Sequence, residues 1–243
     1  MVGVPTSSLP ALSPPAQATE AFTLAVPKLF GLSGIAALLT IAPVFLQAPL
    51  VRWAPMATTL CTIPLVLLAL ALVRHPDPAR QRLGLLLVGF AGSWLGGSLF
   101  WGWCRAHPFL HVPIEGFALP LALGGLGTRW RLGASFYLAS LLGTALTDAL
   151  IAITGLMPLW PPVVAAPPEA AALLLREAAQ ALLHPVPLMA LALAAFWMVR
   201  LARKLWTGDA GGKVAAAALA STLLVDGLFF AAALLAPRFS GLI

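Results

Sequence analysis

The feature that most limits this chain is its ladder of apolar runs, most of them about 20 residues long, enough for a helix to cross a hydrocarbon core of about 30 Å. They fall at about 29–49, 54–73, 83–103, 112–127, 132–157, 186–205 and 214–236. The runs are continuously apolar rather than alternating, which excludes a transmembrane β-barrel. Such segments cross as helices, because lipid offers no partner to an open N–H or C=O. The sequence therefore predicts an all-α polytopic transmembrane helix bundle of about seven spans. Composition agrees. Only 9% of residues are charged, against about 25% in soluble domains.

Residues 1–27 carry Pro, Ser and Ala with no Lys or Arg before Lys28. They match no secretory signal and are expected to form a disordered N-terminal tail. Residues 28–243 are expected to form a single transmembrane helical domain. Gly92-xxx-Gly96 and Ser93-xxx-Gly97 in the third run are small-xxx-small pairs, which place that helix in the middle of the bundle. The fourth run, 112–127, is short and holds Pro120, so it is either a tilted helix or a re-entrant segment. Residues 169–183 read as an amphipathic helix lying in the membrane interface, with Arg176, Gln180 and His184 four residues apart.

The net charge of +6 does not point to nucleic acid, because the basic residues are scattered at the ends of apolar runs. With seven spans, Lys28, Arg74, Arg80, Arg82, Arg129, Arg131, Arg200, Arg203, Lys204 and Lys213 share the side of the N-terminus. Arg52, Arg105, Arg176 and Arg238 take the other. By the positive-inside rule the N-terminus is expected to be cytoplasmic.

Chemistry concentrates in Trp101-Gly-Trp-Cys-Arg105-Ala-His107-Pro-Phe-Leu-His111-Val-Pro113-Ile-Glu115. This is either a polar site or a well-anchored turn. His107, His111 and Glu115 are four residues apart, but Pro108 and Pro113 oppose one continuous helix. Opposite charge and a shared membrane boundary lead us to expect Arg105 and Glu115 to pair. With Arg176 and His184 from the interfacial helix, Arg105, His107, His111 and Glu115 form the candidate outer polar site. Asp148 and Asp226 lie inside apolar spans and should face the bundle interior. They are the candidate coupling groups, each with a Thr one turn earlier (Thr144 and Thr222). Two cysteines, Cys61 and Cys104, make no metal motif or disulfide framework. No phosphate-binding loop, dinucleotide fingerprint or His-Glu-x-x-His zinc motif is present, so no metal site is assigned and the cofactor stays open; a transition metal on the loop's imidazoles and carboxylate, with His184 as a third ligand, is the lesser alternative to a solvated loop.

The segment Gly-Gly97-Ser-Leu-Phe-Trp101-Gly-Trp103-x-Arg105-x-His107-Pro-x-x-His111-x-Pro113-Ile-Glu115-x-Phe-Ala-Leu-Pro-Leu resembles a family of uncharacterised multi-pass integral membrane proteins found mainly in cyanobacteria. The resemblance implies a compartment, the bacterial plasma membrane or thylakoid, rather than a mechanism. The first functional expectation is a small carrier or permease-like protein with an outer polar site. The second is a non-catalytic assembly or interaction factor for membrane, including pigment–protein, complexes. A membrane-embedded enzyme is the third. The lipid bilayer is the expected partner, with other membrane proteins under the second expectation. A carrier requires Asp148 and Asp226 to line one cavity; an assembly factor requires the glycine face of the third span to lie open.

Overall fold

The computed structural model describes residues 31–236, all helix and connecting turns with no strand among them. The tail expected over residues 1–27 lies outside the described residues. Six helices are long and apolar enough to cross a membrane, and the chain is an integral membrane protein.

Helix α1 (Leu32–Trp53) holds Pro43 and Pro49, and Pro55 opens the next element directly after the turn at Ala54. The second crossing, Pro55–Val73, is made of α2 (Pro55–Leu60) and α3 (Thr62–Val73), broken at Cys61. Pro64 causes the break. Its missing N–H and its ring remove the helical bond to the Leu60 carbonyl. The third crossing is α4 (Pro78–Leu99), capped by the Asp77 side chain, which accepts from the Ala79 N–H at 3.1 Å. It runs into a wider π-helical turn at Phe100–Cys104. More than half of this crossing is buried inside the protein, the largest share among the six. Helix α7 (Arg131–Ile153), α10 (Pro185–Trp206) and α11 (Ala210–Leu235) complete the set.

Glycine sets how closely α4 meets α7. A Cβ built on Gly89 would lie 2.1 Å from the Gly133 carbonyl oxygen, so the two backbones touch without side chains between them. Around this contact Leu86, Phe90, Phe136 and Leu219 form the core. Gln47 of α1 ties in from the other side. Its Nε2 donates to the Trp94 carbonyl at 2.6 Å and to Ser98 Oγ at 2.7 Å.

The expected fourth span is not one helix. It is a 3₁₀ turn at Pro108–Leu110, α5 (His111–Glu115), a second 3₁₀ turn at Gly116–Ala118 and α6 (Leu119–Gly125). Pro108, Pro113 and Pro120 interrupt the backbone ladder. Its contacts nevertheless run in order down α7. His111 meets Asp148, Glu115 meets Thr144, Ala118 meets Tyr137, and Gly125 packs against Ala134. From 148 back to 134 is about 21 Å at 1.5 Å of helix rise per residue. The segment thus runs antiparallel to α7 and leaves the bundle at the opposite end from its entry. It is a broken traverse of the bundle, standing beside the six helices that are long and apolar enough to cross a membrane.

Two short helices follow α7 at that entry end: α8 (Trp160–Ala165) and α9 (Pro168–Ala181). Helix α9 is too short to cross. It buries Ala171, Ala172 and Ala179 and exposes Arg176, Glu177 and Gln180, the split of a helix lying along a surface. At the other end of the bundle Arg131 pairs with Asp209 at 3.2 Å, and Asp209 caps α11 by accepting from the Gly212 N–H.

Candidate functional site

Site geometry starts with the broken traverse. Pro113 sits within the first turn of α5, where its missing N–H costs nothing. The short helix therefore forms, and His111 and Glu115 face the same way. Their side chains meet, Nε2 to Oε1, at 3.2 Å. On its other nitrogen His111 Nδ1 lies 3.1 and 3.0 Å from the two oxygens of Asp148. The second oxygen of Glu115 accepts from Thr144 Oγ1 at 3.0 Å.

The imidazole is thus held between two carboxyl groups, and its surroundings are aromatic. Phe100 stacks on the ring with centroids 4.0 Å apart, and the rings of Trp101 and Trp160 stand 5.7 and 5.8 Å away. The π-helical turn at the end of α4 delivers both Phe100 and Trp101. Trp160 is fixed in turn by donating from Nε1 to the Arg105 carbonyl at 2.8 Å. His111 is 7% exposed and Asp148 8%. With both groups so deeply buried, the two His111 contacts need two shared protons. An imidazolium between two carboxylates, or a neutral imidazole with one carboxylic acid, both supply them, and both leave a net charge of −1.

Tyr137, the chain's one tyrosine, holds this segment in register. Its hydroxyl donates to the Glu115 carbonyl and accepts from the Ala118 N–H, satisfying two groups freed where α5 ends. A Cβ on Gly96 would come within 2.9 Å of the Glu115 Cα, so glycine there lets α4 approach the segment.

Asp226 completes the set from α11. It accepts from Thr147 Oγ1 at 2.7 Å through one oxygen, and its other oxygen has no protein partner among the described residues. His111, Glu115, Asp148 and Asp226 all line one cavity of about 390 Å³ between α1, α4, α7 and α11. Hydroxyls of Ser93, Ser140 and Thr222 and the Gln47 amide add polarity, while Phe90, Phe136 and Phe229 give an apolar wall. Among the described residues, no Lys or Arg lines it.

The sequence-derived candidates therefore divide. His111, Glu115, Asp148 and Asp226 come together. Arg105, His107, Arg176 and His184 do not join them. Arg105 borders a separate small recess with Arg52, and His107, Arg176 and His184 are exposed. The expected Arg105–Glu115 pair is not formed, because His111 and Thr144 take the Glu115 oxygens. The Thr that stands one turn before each Asp serves another group: Thr144 donates to Glu115 and Thr222 to the Ala218 carbonyl, while Thr147 donates to Asp226. Gln47, Tyr137, Thr147 and Trp160 were missing from the sequence-derived set. Of these Gln47 carried a readable signal, a lone amide inside an apolar span.

No group of three or more His, Cys, Asp or Glu side chains among the described residues is arranged to hold a metal ion. Comparison with curated proteins and with solved structures finds no match. A family model does match, over residues 36–234, which takes in every helix that builds the cavity. The chain belongs to this family, described as a protein of unknown function (DUF3120).

Proposed function

We propose that the chain is a small permease-like carrier in which His111, Glu115, Asp148 and Asp226 take up and release protons as a solute passes through the cavity. The observation that carries this reading is that both intramembrane aspartates line one cavity with a histidine–carboxylate pair. Carboxylates at membrane depth are costly unless they are paired or reach water, and a cavity supplies that access. Two protonation states are available to Asp226 through Thr147. That hydroxyl lies 2.7 Å from Asp226 and 3.1 Å from the Gly143 carbonyl. Facing a carboxylate, it donates to Asp226; facing a carboxylic acid, it accepts from Asp226 and donates to Gly143.

The glycine face of the third crossing argues against an assembly factor. Gly89, Gly96 and Gly97 meet Gly133, Glu115 and Gln47 inside the bundle, and that face is not left open for a partner helix. For orientation, the bundle end with Arg74, Arg80, Arg82, Arg129 and Arg131 favours a cytoplasmic N-terminus, in a bacterial plasma membrane or thylakoid.

Proteoliposomes loaded with a pH-sensitive dye test the proposal. Solute gradients should move protons with the native protein. Asp148→Asn and Asp226→Asn should stop that movement while the protein still accumulates. Native-level flux in both variants would retire the carrier.

A further inference from the structure

The cavity also limits the chemistry of what it holds. Its three carboxyl groups and one imidazole come from α5, α7 and α11; α1 and α4 contribute no titratable group to the lining. Tyr137 stands behind Glu115 with its hydroxyl committed to backbone. Anions are therefore repelled. The carboxylates are not equivalent, though. Both oxygens of Asp148 face His111, and those of Glu115 are divided between His111 and Thr144. Among the three carboxyl groups, Asp226 alone keeps an oxygen without a protein partner among the described residues. With no Lys or Arg in the lining among the described residues, an ionised Asp226 takes its counter-charge from whatever enters.

A bare metal cation fits poorly. It needs about six oxygen ligands around it, whereas Phe90, Phe136 and Phe229 occupy the wall and no metal-holding cluster occurs among the described residues. A volume of about 390 Å³ lies in the range of small-molecule sites. Aromatic faces also attract an organic ammonium group.

Resting on the carrier reading, we infer that the solute is a compact organic ammonium ion with an apolar body, its N–H groups on Asp226 and its body against Phe90, Phe136 and Phe229. Exchange then balances in charge. One RNH₃⁺ enters as the proton on Asp226 leaves, and the reverse step returns a proton to the carboxylate. Lower pH weakens amine binding because a proton occupies the same oxygen.

Trp101 and Trp160 line the cavity, so their fluorescence reports occupancy. Purified protein in phosphatidylcholine nanodiscs is titrated with 2-phenylethylammonium, the neutral 2-phenylethanol and the anionic phenylacetate. Saturable binding of the ammonium ion is expected, at least 10-fold tighter than the alcohol, with no signal from phenylacetate. Asp226→Asn should lower the ammonium affinity at least 10-fold and spare the alcohol, while Asp226→Glu should retain binding. Should the Asn variant fail to accumulate, the ranking of the three probes and its loss at low pH decide the matter. Equal binding of amine and alcohol, binding of phenylacetate, or an unaltered Asn variant overturns the inference. The two readings separate in liposomes. Amine binding without proton movement retires the carrier and leaves the site; proton-coupled flux of a neutral or acidic solute without amine binding does the reverse.

Discussion

His111 and Asp148 stand 37 positions apart in the chain, yet one imidazole nitrogen lies about equally far, 3.1 and 3.0 Å, from both oxygens of the carboxylate. This contact fastens the entry of the broken traverse to the C-terminal half of α7. Replacing His111 by Ala strands a carboxylate that is 8% exposed. Breaking one side of a buried pair costs roughly 3–5 kcal/mol. We expect His111→Ala to lower the melting temperature and accumulation sharply. The exposed His107→Ala, on the same loop, should leave both nearly unchanged, with stability altered by no more than about 0.5 kcal/mol. Thermal unfolding of both variants in nanodiscs checks this.

Tyr137→Phe removes one oxygen and leaves two backbone groups without their partner, the Glu115 carbonyl and the Ala118 N–H. An unsatisfied buried group costs about 1–3 kcal/mol. The loss should appear locally, as faster amide exchange over residues 111–118 than over α4 or α10. Unaltered exchange there would show that the clamp is dispensable.

Gly89→Ala and Gly133→Ala each drive a methyl group into backbone, at 2.1 and 2.3 Å. Both should abolish accumulation. Gly124 has nothing within 4 Å of the same added atom, and it lies in a helix. Gly124→Ala should therefore be neutral or stabilising by up to about 1 kcal/mol. Expression of the three single variants, compared side by side, tests the assignment of the contact.

Topology follows from the broken traverse. Because residues 108–125 run antiparallel to α7, single cysteines placed at Thr128 and Gly208 should react from one side of a sealed vesicle. A cysteine at the exposed His107, where the segment enters, should react from the other. Labelling at positions 107 and 128 from one side would turn the segment into a re-entrant loop.

How much of this was written in the sequence depends on the range of the interaction. Span boundaries follow from solvation and are local: the expected 54–73 became Pro55–Val73, and 186–205 became Pro185–Trp206. That the fourth run would be irregular was also visible, in Pro108, Pro113 and Pro120. The His111–Glu115 contact obeys local spacing too. His107 falls off that face because Pro108 starts a new turn. Long-range partners were not legible. Opposite charge and nearness in sequence favoured Arg105 for Glu115, but the register of the traverse against α7 brought Thr144 and Asp148 instead. Likewise, nothing local could tell that Thr147, rather than Thr222, would meet Asp226 across two helices.

The Gly89–Gly133 contact has a mechanical consequence. Where two backbones touch, no side chain is present to change rotamer, so α4 and α7 cannot slide and act as one strut. The joint between α7 and α11 is different. There Gly143 faces the side chain of Thr222, with a built Cβ 2.8 Å from its hydroxyl, and a threonine can turn. If the chamber widens, this joint is where α11 could tilt, and α10, packed against α11, would travel with it. Asp226, one turn further along, would swing with it, away from Thr147 and out of reach of the strut.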